Sequence, residues 1–460
     1  MTPSLSPLVF QSQSDASESH FHRFLRHFDW VLFLDVVILC LVGMMMVYSA
    51  CLRFGRPELY FVKQLFAFVL GLSVLFVLAA VNYKIFAQYP KTLFFLSLSL
   101  LVLVLGVGKT SRGTQAWLSL GLIDFQPSEI CKITTLLVIS AWCAANWKKI
   151  HHLNGLLIPF IIVLAHVGLI LLQPDFGSTL VYFPVLLGIL FTAGTPSIYL
   201  FIISFYGLVA ATVLALHVGF SLAPDFLQEH ALWNFIYKGT KIGKEFIILQ
   251  IVMMSSILFA WWMSKKLRLR VPGVYFFVVF LVTLAGWSSS SIFLNSLKEY
   301  QKKRLIVFFN PRLDPMGTGY HVIQSEVALG SGKIFGKGLF SGTQGRLGFL
   351  PEQHTDFIFS VLGEELGFLA SGLVLLLYLI LLWRCIAIAG DARDLFGSLT
   401  AVGIGCMFAF YGFVNLGMAM GMVPVTGLPL PFLSYGGSSL VSSLTAVGIL
   451  LSIHVRRYTH

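Results

Sequence analysis

The chain has 460 residues, of which 57% are hydrophobic and 11% are charged, and its mean hydropathy is +0.85. This composition is more apolar than a soluble core requires, and the continuous apolar runs exclude an outer-membrane barrel, in which apolar and polar residues alternate. The net charge of +11 comes from lysines and arginines at the ends of apolar runs. This distribution indicates contact with anionic lipid headgroups and argues against nucleic acid as a partner.

Residues 1–28 are polar, with no apolar run before Trp30 and no signal-peptide cleavage site, so we expect a cytoplasmic tail. From residue 29 to residue 460 we expect a single membrane domain. Runs of about twenty apolar residues predict about twelve transmembrane helices in an all-α polytopic bundle. The candidate spans cover residues 30–50, 60–80, 92–108, 128–146, 154–172, 178–194, 197–219, 246–264, 272–292, 356–383, 395–421 and 436–454.

Basic residues favour one side of these spans, and the positive-inside rule assigns that side to the cytoplasm. The sequence therefore predicts a multi-pass protein of the cytoplasmic membrane with both termini in the cytoplasm. Residues 293–355 fall on the opposite side and are expected to face outward.

The segment 293–355 is a polar, glycine-rich loop in an otherwise apolar chain. Long loops are usually functional or disordered, and this one is richer in aromatic, aliphatic and glycine residues than a disordered segment, so we expect the chemistry here. Lys303 and Arg304 belong to a basic run that could meet a diphosphate or outer-leaflet headgroups. Lys333 and Lys337 lie in a glycine-rich stretch whose backbone amides could hold an anion. That stretch lacks the Walker pattern, so no nucleotide is implied.

Charged side chains inside the spans are costly and therefore informative. Glu129 and Lys132 lie three residues apart at the start of the fourth span. They can pair on one helix face, either as a structural ion pair or as groups that serve a substrate. Asp175 follows the fifth span at a helix break, where it can accept from the amides of Ser178 or Thr179 as a helix cap, or face a cavity.

Three further features have bland interpretations. The six cysteines lie in or beside apolar runs without paired spacing, so we expect small core residues and neither disulfides nor metal ligands. The stretch PVTGLPLPFLSYGGSS is expected to wall a substrate groove or to form a structural re-entrant turn. His354, Asp356 and Glu352 could bind a metal, but helix capping with a satisfied histidine is the favoured interpretation. Glu365 is expected to pair with an arginine or to lie on a pathway.

Seven motifs follow one another along nearly the whole chain in the order found in the SEDS (shape, elongation, division and sporulation) family, which this chain resembles. They are DWVLFLDVVILCLVGMMMVYSA, FVKQ, WLSLGLIDFQPSEICK, LLQPDFGSTL, NPRLDPMGTGYHVIQS, GTQGRLGFLPEQHTDFIFSVLGEELG and PVTGLPLPFLSYGGSS. The wordings GTQ and PVTGLPLP are similar to those of rod-shape members rather than division members.

The resemblance implies a peptidoglycan glycosyltransferase that polymerises lipid II at the outer face of the bacterial inner membrane. The implied partners are a class B penicillin-binding protein transpeptidase, the growing glycan strand and membrane proteins of the elongation complex. The acidic residue of the family's large loop, its catalytic base, matches Asp314, and the intramembrane positions match Glu129, Lys132 and Asp175. No cofactor or protein metal site is implied, although a divalent cation, Mg²⁺ or Mn²⁺, could bridge the diphosphate.

The chemistry of such a transfer is consistent with a single base. Diphosphate leaves well without a general acid, so the reaction needs one carboxylate to deprotonate the acceptor hydroxyl and cations to hold the diphosphate. An α-linked donor and a β-linked product imply a single inverting displacement. Asp314 lies between Pro311 and Pro315, which stiffen the turn that carries it.

Two departures from the family pattern are visible. Ala116 stands where relatives have an arginine, and Arg112 could supply that charge. The family core has ten spans, so residues 197–264 are expected to be an inserted helix pair, whose even number keeps the large loop outside. The alternative functions are a lipid II flippase that uses the intramembrane charges, a noncatalytic scaffold, and a division-type member of the same family.

Overall fold

The computed structural model describes residues 26–111, 114–119, 124–222, 224–269, 271–296, 306–310, 318–350 and 352–457. Lys303, Arg304 and Asp314 of the predicted site lie outside this described part, as does Arg112. Within it, eleven helices are long and apolar enough to cross a membrane by length and composition. The chain is therefore a multi-pass helical membrane protein, as its composition predicts.

Helices make up most of the described residues, and a short 3-10 turn, Leu52–Phe54, follows the first. The helices are α1 (Trp30–Cys51), α2 (Pro57–Ala80), α3 (Lys84–Gln88), α4 (Pro90–Val107), α5 (Pro127–Ala145), α6 (Leu153–Leu172), α7 (Phe176–Leu180), α8 (Tyr182–Thr192), α9 (Ser197–Ser221), α10 (Pro224–Glu229), α11 (Ala231–Gly239), α12 (Lys244–Lys266), α13 (Gly273–Ser296), α14 (Thr318–Ser331), α15 (Thr343–Leu347), α16 (Ile358–Asp391), α17 (Leu395–Ala419) and α18 (Gly437–Val455). Prolines at the first position of α2, α4 and α5 set their starts, because an amide hydrogen is not needed there.

Each of the twelve candidate spans corresponds to a helix, and the largest errors are at the ends. The predicted span 178–194 is divided into α7 and α8, and together these form a shorter apolar segment, Phe176–Thr192. The division follows from Pro184 in the first turn of α8, which has no amide hydrogen to donate to the carbonyl of Leu180. At the other extreme, α16 continues to Asp391 and is longer than the predicted span 356–383.

The predicted loop 293–355 contains short helices of its own. Residues 306–309 are helical, and α14 and α15 lie within the same segment. In α14 the buried residues Val322, Ser325 and Ala328 recur every three positions and face α16 and α17. That spacing is a narrow helical stripe, and the sequence had hidden it because Ile323 and Val327 are apolar but lie off the stripe, while Ser325 is polar and lies on it.

A small antiparallel sheet, absent from the all-α prediction, follows α4. Its strands are β1 (Lys109–Ser111), β2 (Thr114–Ser119) and β3 (Asp124–Phe125), in the order β1-β2-β3. Trp117 pairs with Lys109, and Leu118 pairs with Phe125. Ala116 is fully buried in β2, and β3 leads directly into the start of α5.

The helices differ in how deeply they lie in the bundle. Within the apolar windows of α18 and α5, 83% and 72% of the residues are buried, whereas only 6% and 11% are buried in α9 and α12. Hence α5 and α18 form the centre, and α9 and α12, the two long helices of residues 197–264, lie at the periphery. That they are an insertion relative to the family stays a prediction.

The chain between α17 and α18, residues 420–436, re-enters the bundle without forming a helix. Leu428, Phe432 and Leu433 are buried there. Side chains of the neighbouring helices satisfy its backbone: the Asn415 amide donates to the carbonyl of Leu428 over 2.8 Å, and Gln64 both donates to one carbonyl and accepts from one amide of the turn. Buried irregular backbone is tolerated only with such partners, and this turn has them. Whether it also walls a substrate groove stays a prediction.

Candidate functional site

The clearest charged group in the described bundle joins α5 to α17. The Lys132 ammonium lies 2.6 Å from Oε1 of Glu129, and the two side chains are only 3% and 6% exposed. The Tyr411 hydroxyl contacts the same ammonium and donates to Oε2 of Glu129 over 3.3 Å. The predicted pairing of Glu129 with Lys132 is confirmed, and Tyr411 completes a buried charged triad.

Asp175 is connected to this triad by a hydrogen bond from the residue that precedes α5. Its carboxylate caps α7, accepting from the Ser178 amide over 3.1 Å and from the Ser178 hydroxyl over 2.7 Å. The cap predicted from the sequence is therefore confirmed. The same carboxylate also accepts from the Gln126 side chain over 3.0 Å, and Gln126 is one turn before Glu129. Three of the predicted site residues thus lie in one connected region.

The re-entrant turn closes this region on the side of α18. The backbone amide of Gln126 donates to the Ser438 hydroxyl over 2.9 Å, and that hydroxyl donates to the backbone carbonyl of Asp124 over 2.7 Å. The start of α5 is thereby fixed, through its N-cap residue Gln126, by α18 and by β3. Gly177 in α7 packs so closely on the turn that a Cβ atom would lie 2.6 Å from the carbonyl oxygen of Thr426.

A small cavity lies behind Lys132, between α5 and α8. Its volume is about 10 Å³, and its lining is mostly apolar: four aliphatic side chains join Lys132, Thr135 and Tyr182 around it. The triad is otherwise enclosed by protein. Burying two charges costs several kcal/mol per ion before their attraction is counted, and here each charge has its partner within the bundle. Whether the pair is structural or serves a substrate stays a prediction.

The predicted cations of the large loop are placed differently. Lys337 forms a salt bridge with Glu364 at 2.7 Å, whereas Lys333 is exposed. Glu365 is buried, and it accepts from the Ser49 hydroxyl over 2.6 Å and from backbone amides. The expected pairing of Glu365 with an arginine is therefore wrong for the described residues: a serine hydroxyl and backbone amides are its partners instead.

His354 packs as a buried aromatic side chain. Its ring lies 5.6 Å from that of Tyr60 and 5.5 Å from that of Tyr435, measured between ring centroids. Among the described residues, no group of three histidine, cysteine, aspartate or glutamate side chains could hold a metal ion. The six cysteines are all free and five are buried, which agrees with their expected role as core residues.

Tyr411 and Gln126 are site residues that the sequence prediction missed. Gln126 had a usable signal, because it directly precedes the proline that starts α5 and lies in the motif that carries Glu129. Tyr411 had no such signal, since its hydroxyl is a single polar group in an apolar span and it lies 279 residues from Lys132 in sequence. Only the packing of α17 on α5 brings it to the pair.

Comparisons with known proteins agree along the whole bundle. The family model of FtsW, RodA and SpoVE, described as cell cycle protein, matches residues 29–250 and 239–459. The peptidoglycan glycosyltransferase RodA of Treponema pallidum is 32% identical over 95% of this chain and 99% of its own length. The probable peptidoglycan glycosyltransferase FtsW of Trichlorobacter lovleyi is 34% identical over 93% of each chain. A solved peptidoglycan synthase complex that coordinates polymerization and crosslinking contains a chain with 29% identity and a TM-score of 0.64, covering 94% of this chain and 99% of that one.

Proposed function

Since this chain belongs to the FtsW, RodA and SpoVE family of cell cycle proteins, we propose that it is a peptidoglycan glycosyltransferase. It polymerises lipid II into glycan strands by inverting transfer from an undecaprenyl-diphosphate donor to an acceptor sugar hydroxyl, for cell elongation and rod shape. The observation that carries this proposal is the buried triad of Glu129, Lys132 and Tyr411 beside Asp175, in a bundle that matches glycosyltransferase relatives over nearly its full length.

In this proposal Asp314 is the catalytic base, on the strength of its match to the family motif NPRLDP. Its carboxylate accepts the proton of the acceptor hydroxyl as the new glycosidic C–O bond forms. The anomeric carbon–oxygen bond to the donor diphosphate breaks in the same displacement, and the diphosphate departs with the bonding electrons. No general acid is required, because diphosphate is a stable leaving group.

We propose that the intramembrane cluster supports this reaction from below. A preorganised cation in a low-dielectric site stabilises developing negative charge without having to reorganise, and Lys132 is held for that role by Glu129 and Tyr411. Asp175 and Gln126 fix the adjoining helix starts. Lys303, Arg304, Lys333 and Lys337 are the proposed outer-face cations, with Lys337 shared with Glu364.

We propose that a divalent cation, Mg²⁺ or Mn²⁺, would neutralise negative charge on the departing diphosphate. Cations of this kind bind phosphate oxygens readily while keeping several water ligands, so they do not need an all-protein cage. Removal of divalent ions with a chelator is then expected to slow glycan synthesis, and added Mg²⁺ or Mn²⁺ should restore it. Unchanged synthesis in the chelator would remove the cation from the mechanism.

We further propose the inner membrane of a bacterium as the location, with both termini in the cytoplasm and the loop that carries Asp314 outside. A class B penicillin-binding protein transpeptidase is the proposed partner, together with other membrane proteins of the elongation complex. The likeness to a synthase complex that joins polymerization to crosslinking supports this pairing. Cysteine labelling at the hairpin ends from either side of the membrane tests the orientation.

The test of the function is reconstitution of the purified chain with its transpeptidase partner and lipid II in liposomes, followed by separation of glycan strands. Strands are expected from the native chain and not from Asp314→Ala. Glu58→Gln is a control, because it also alters an acidic residue but one that is exposed at the start of α2. Undiminished strands from Asp314→Ala would refute the base. Movement of labelled lipid II across the bilayer without strands would instead favour the flippase.

A further inference from the structure

The glycine-rich segment, residues 332–344, is inserted into a break in α16. At Gly367 the helix adopts φ 75° and ψ −170°, so the helical hydrogen bonds around it are lost. The amides of Phe368 and Leu369 instead donate to the carbonyls of residues 333 and 334, over 2.9 and 3.2 Å. The carbonyls of Glu364 and Glu365 in turn accept from the amides of residues 337 and 338, each over 3.0 Å. The break is therefore filled by the loop, which leaves these backbone groups satisfied.

Two adjacent glutamates hold this segment through their side chains as well. Oε1 of Glu364 accepts from the Lys337 ammonium at 2.7 Å and from the Thr343 amide and hydroxyl, each at 2.8 Å. The Gln344 amide adds a further bond over 3.1 Å. Glu365 accepts from the Phe340 amide over 3.1 Å and from the Gly342 amide over 3.4 Å.

These contacts identify the anion that the glycine-rich segment holds. Glu364 and Glu365 are 1% and 2% exposed, and their carboxylates receive donors from four backbone amides and one ammonium of the segment. Such convergent amides are the usual receptor of a bound phosphate or carboxylate. Here the receptor is filled by carboxylates of the same chain.

The backbone of the segment is strained, so the bonds to Glu364 and Glu365, here called the clamp, are needed to hold its shape. Lys333 and Phe340 both have left-handed backbone angles, with φ of 49° and 62°. Non-glycine residues hold that conformation only where the surroundings impose it. At Gly336 no side chain fits, because a Cβ atom would lie 2.1 Å from the carbonyl oxygen of Glu365. The segment keeps its shape because α16 holds it on both sides.

The same clamp ties the segment to a second helix. The Ser49 hydroxyl, in the last turn of α1, donates to Oε1 of Glu365 over 2.6 Å. One carboxylate therefore connects the ends of α1 and α16 to the loop between them. Movement of this part of the loop requires loss of the whole set of bonds.

From this geometry we infer that Glu364 and Glu365 are positioning residues, whose carboxylates serve as the built-in anions of the segment 332–344 and hold the outer loop in the shape that glycan transfer requires. This inference deepens the proposed glycosyltransferase function, and its activity arm rests on that function. Neither glutamate touches the substrate; each acts through the loop.

The first test is hydrogen exchange on the full-length protein in nanodiscs, with Glu364→Ala and Glu58→Gln as the matched pair. In Glu364→Ala the amides of Thr343 and Gln344 should exchange at least about tenfold faster, because they lose a charge-assisted acceptor. Added acetate should restore their protection by filling the vacated receptor, and acetamide, its neutral analogue, should not. Unchanged exchange, or equal effects of acetate and acetamide, would overturn the inference.

The second test is kinetic and separates positioning from mere structural support. Glu364→Ala should lower kcat for glycan strands by at least about tenfold with little change in KM, and acetate should recover part of kcat. If Glu364→Ala does not fold, Thr343→Val removes one donor to the same carboxylate and should show smaller effects in the same direction. Faster exchange with an unchanged kcat would overturn the positioning role. Failure of the native chain to make strands would refute the proposed function, while the exchange result would still stand.

Discussion

Tyr411→Phe removes one oxygen atom from the buried triad and leaves the ring in place. That oxygen contacts the Lys132 ammonium and donates to Oε2 of Glu129 over 3.3 Å, so the change leaves one carboxylate oxygen without this donor. A hydrogen bond to a charged group contributes about 1.5–3 kcal/mol. If Lys132 acts on charge that develops during transfer, a loss of that size lowers kcat by roughly ten- to 150-fold. KM should change little, because the ion pair of Lys132 with Glu129 persists at 2.6 Å.

The assay is the rate of glycan strand formation from lipid II by the reconstituted complex, at several lipid II concentrations. Tyr83→Phe is the matched control, since the Tyr83 hydroxyl is also buried and donates to a carboxylate, that of Asp394, over 2.8 Å, but away from the triad. Both variants should lose stability, and only Tyr411→Phe should lose kcat. Equal kcat losses in the two variants would show that the effect is general destabilisation, and full activity of Tyr411→Phe would refute the role of the triad.

Three further predictions concern stability, measured as Tm in nanodiscs. Burial disfavours the charged form of Asp394, but hydrogen bonds from an amide, a tyrosine and a lysine lower the pKa of that carboxyl below its ordinary value of 3.8. The stabilisation that the Asp394 carboxylate contributes is therefore present above pH 3.8 and is lost as the pH falls through the lowered pKa. Asp394→Asn should flatten the fall of Tm at acid pH. Native and variant curves of Tm against pH that run parallel would contradict this. Asp35→Leu should raise stability by about 1–3 kcal/mol, because both carboxylate oxygens are buried without a hydrogen-bond partner among the described residues. Gly43→Ala should cost about 1–3 kcal/mol, since its Cβ atom would lie 2.3 Å from the carbonyl oxygen of Phe432; a native Tm would show that the turn can yield.

Apolar runs were enough to predict the spanning helices, because a bilayer sets their length and their backbone groups must pair within the helix. What the runs could not give is the structure between them. The stripe of Val322, Ser325 and Ala328 in α14 becomes apparent only against α16 and α17, because one of its members is polar and apolar residues also lie off it. The strands after α4 pair with one another over a few residues, a pattern too short to stand out.

For the site, local spacing was reliable and distant packing was not. Glu129 and Lys132 pair because three residues are nearly one helical turn, and Asp175 caps α7 because the amide of Ser178 follows it in sequence. Tyr411 and the Glu364 to Lys337 salt bridge depend on which helices become neighbours, and no local pattern states that. The roles of all these residues in the reaction stay predictions.

The glycine-rich sequence around Lys337 predicted that backbone amides there could hold an anion. The amides do converge, but the carboxylates of Glu364 and Glu365 already occupy them. This has a consequence for the diphosphate. The intramembrane region holds two carboxylates and one lysine, and so does the clamp on α16, so neither described cluster has a cation in excess. Two carboxylates repel a diphosphate unless further positive charge is supplied. The proposed mechanism therefore needs positive charge in addition to that of Lys132 at the leaving diphosphate, from Lys333, from the predicted pair of Lys303 and Arg304, or from a divalent cation.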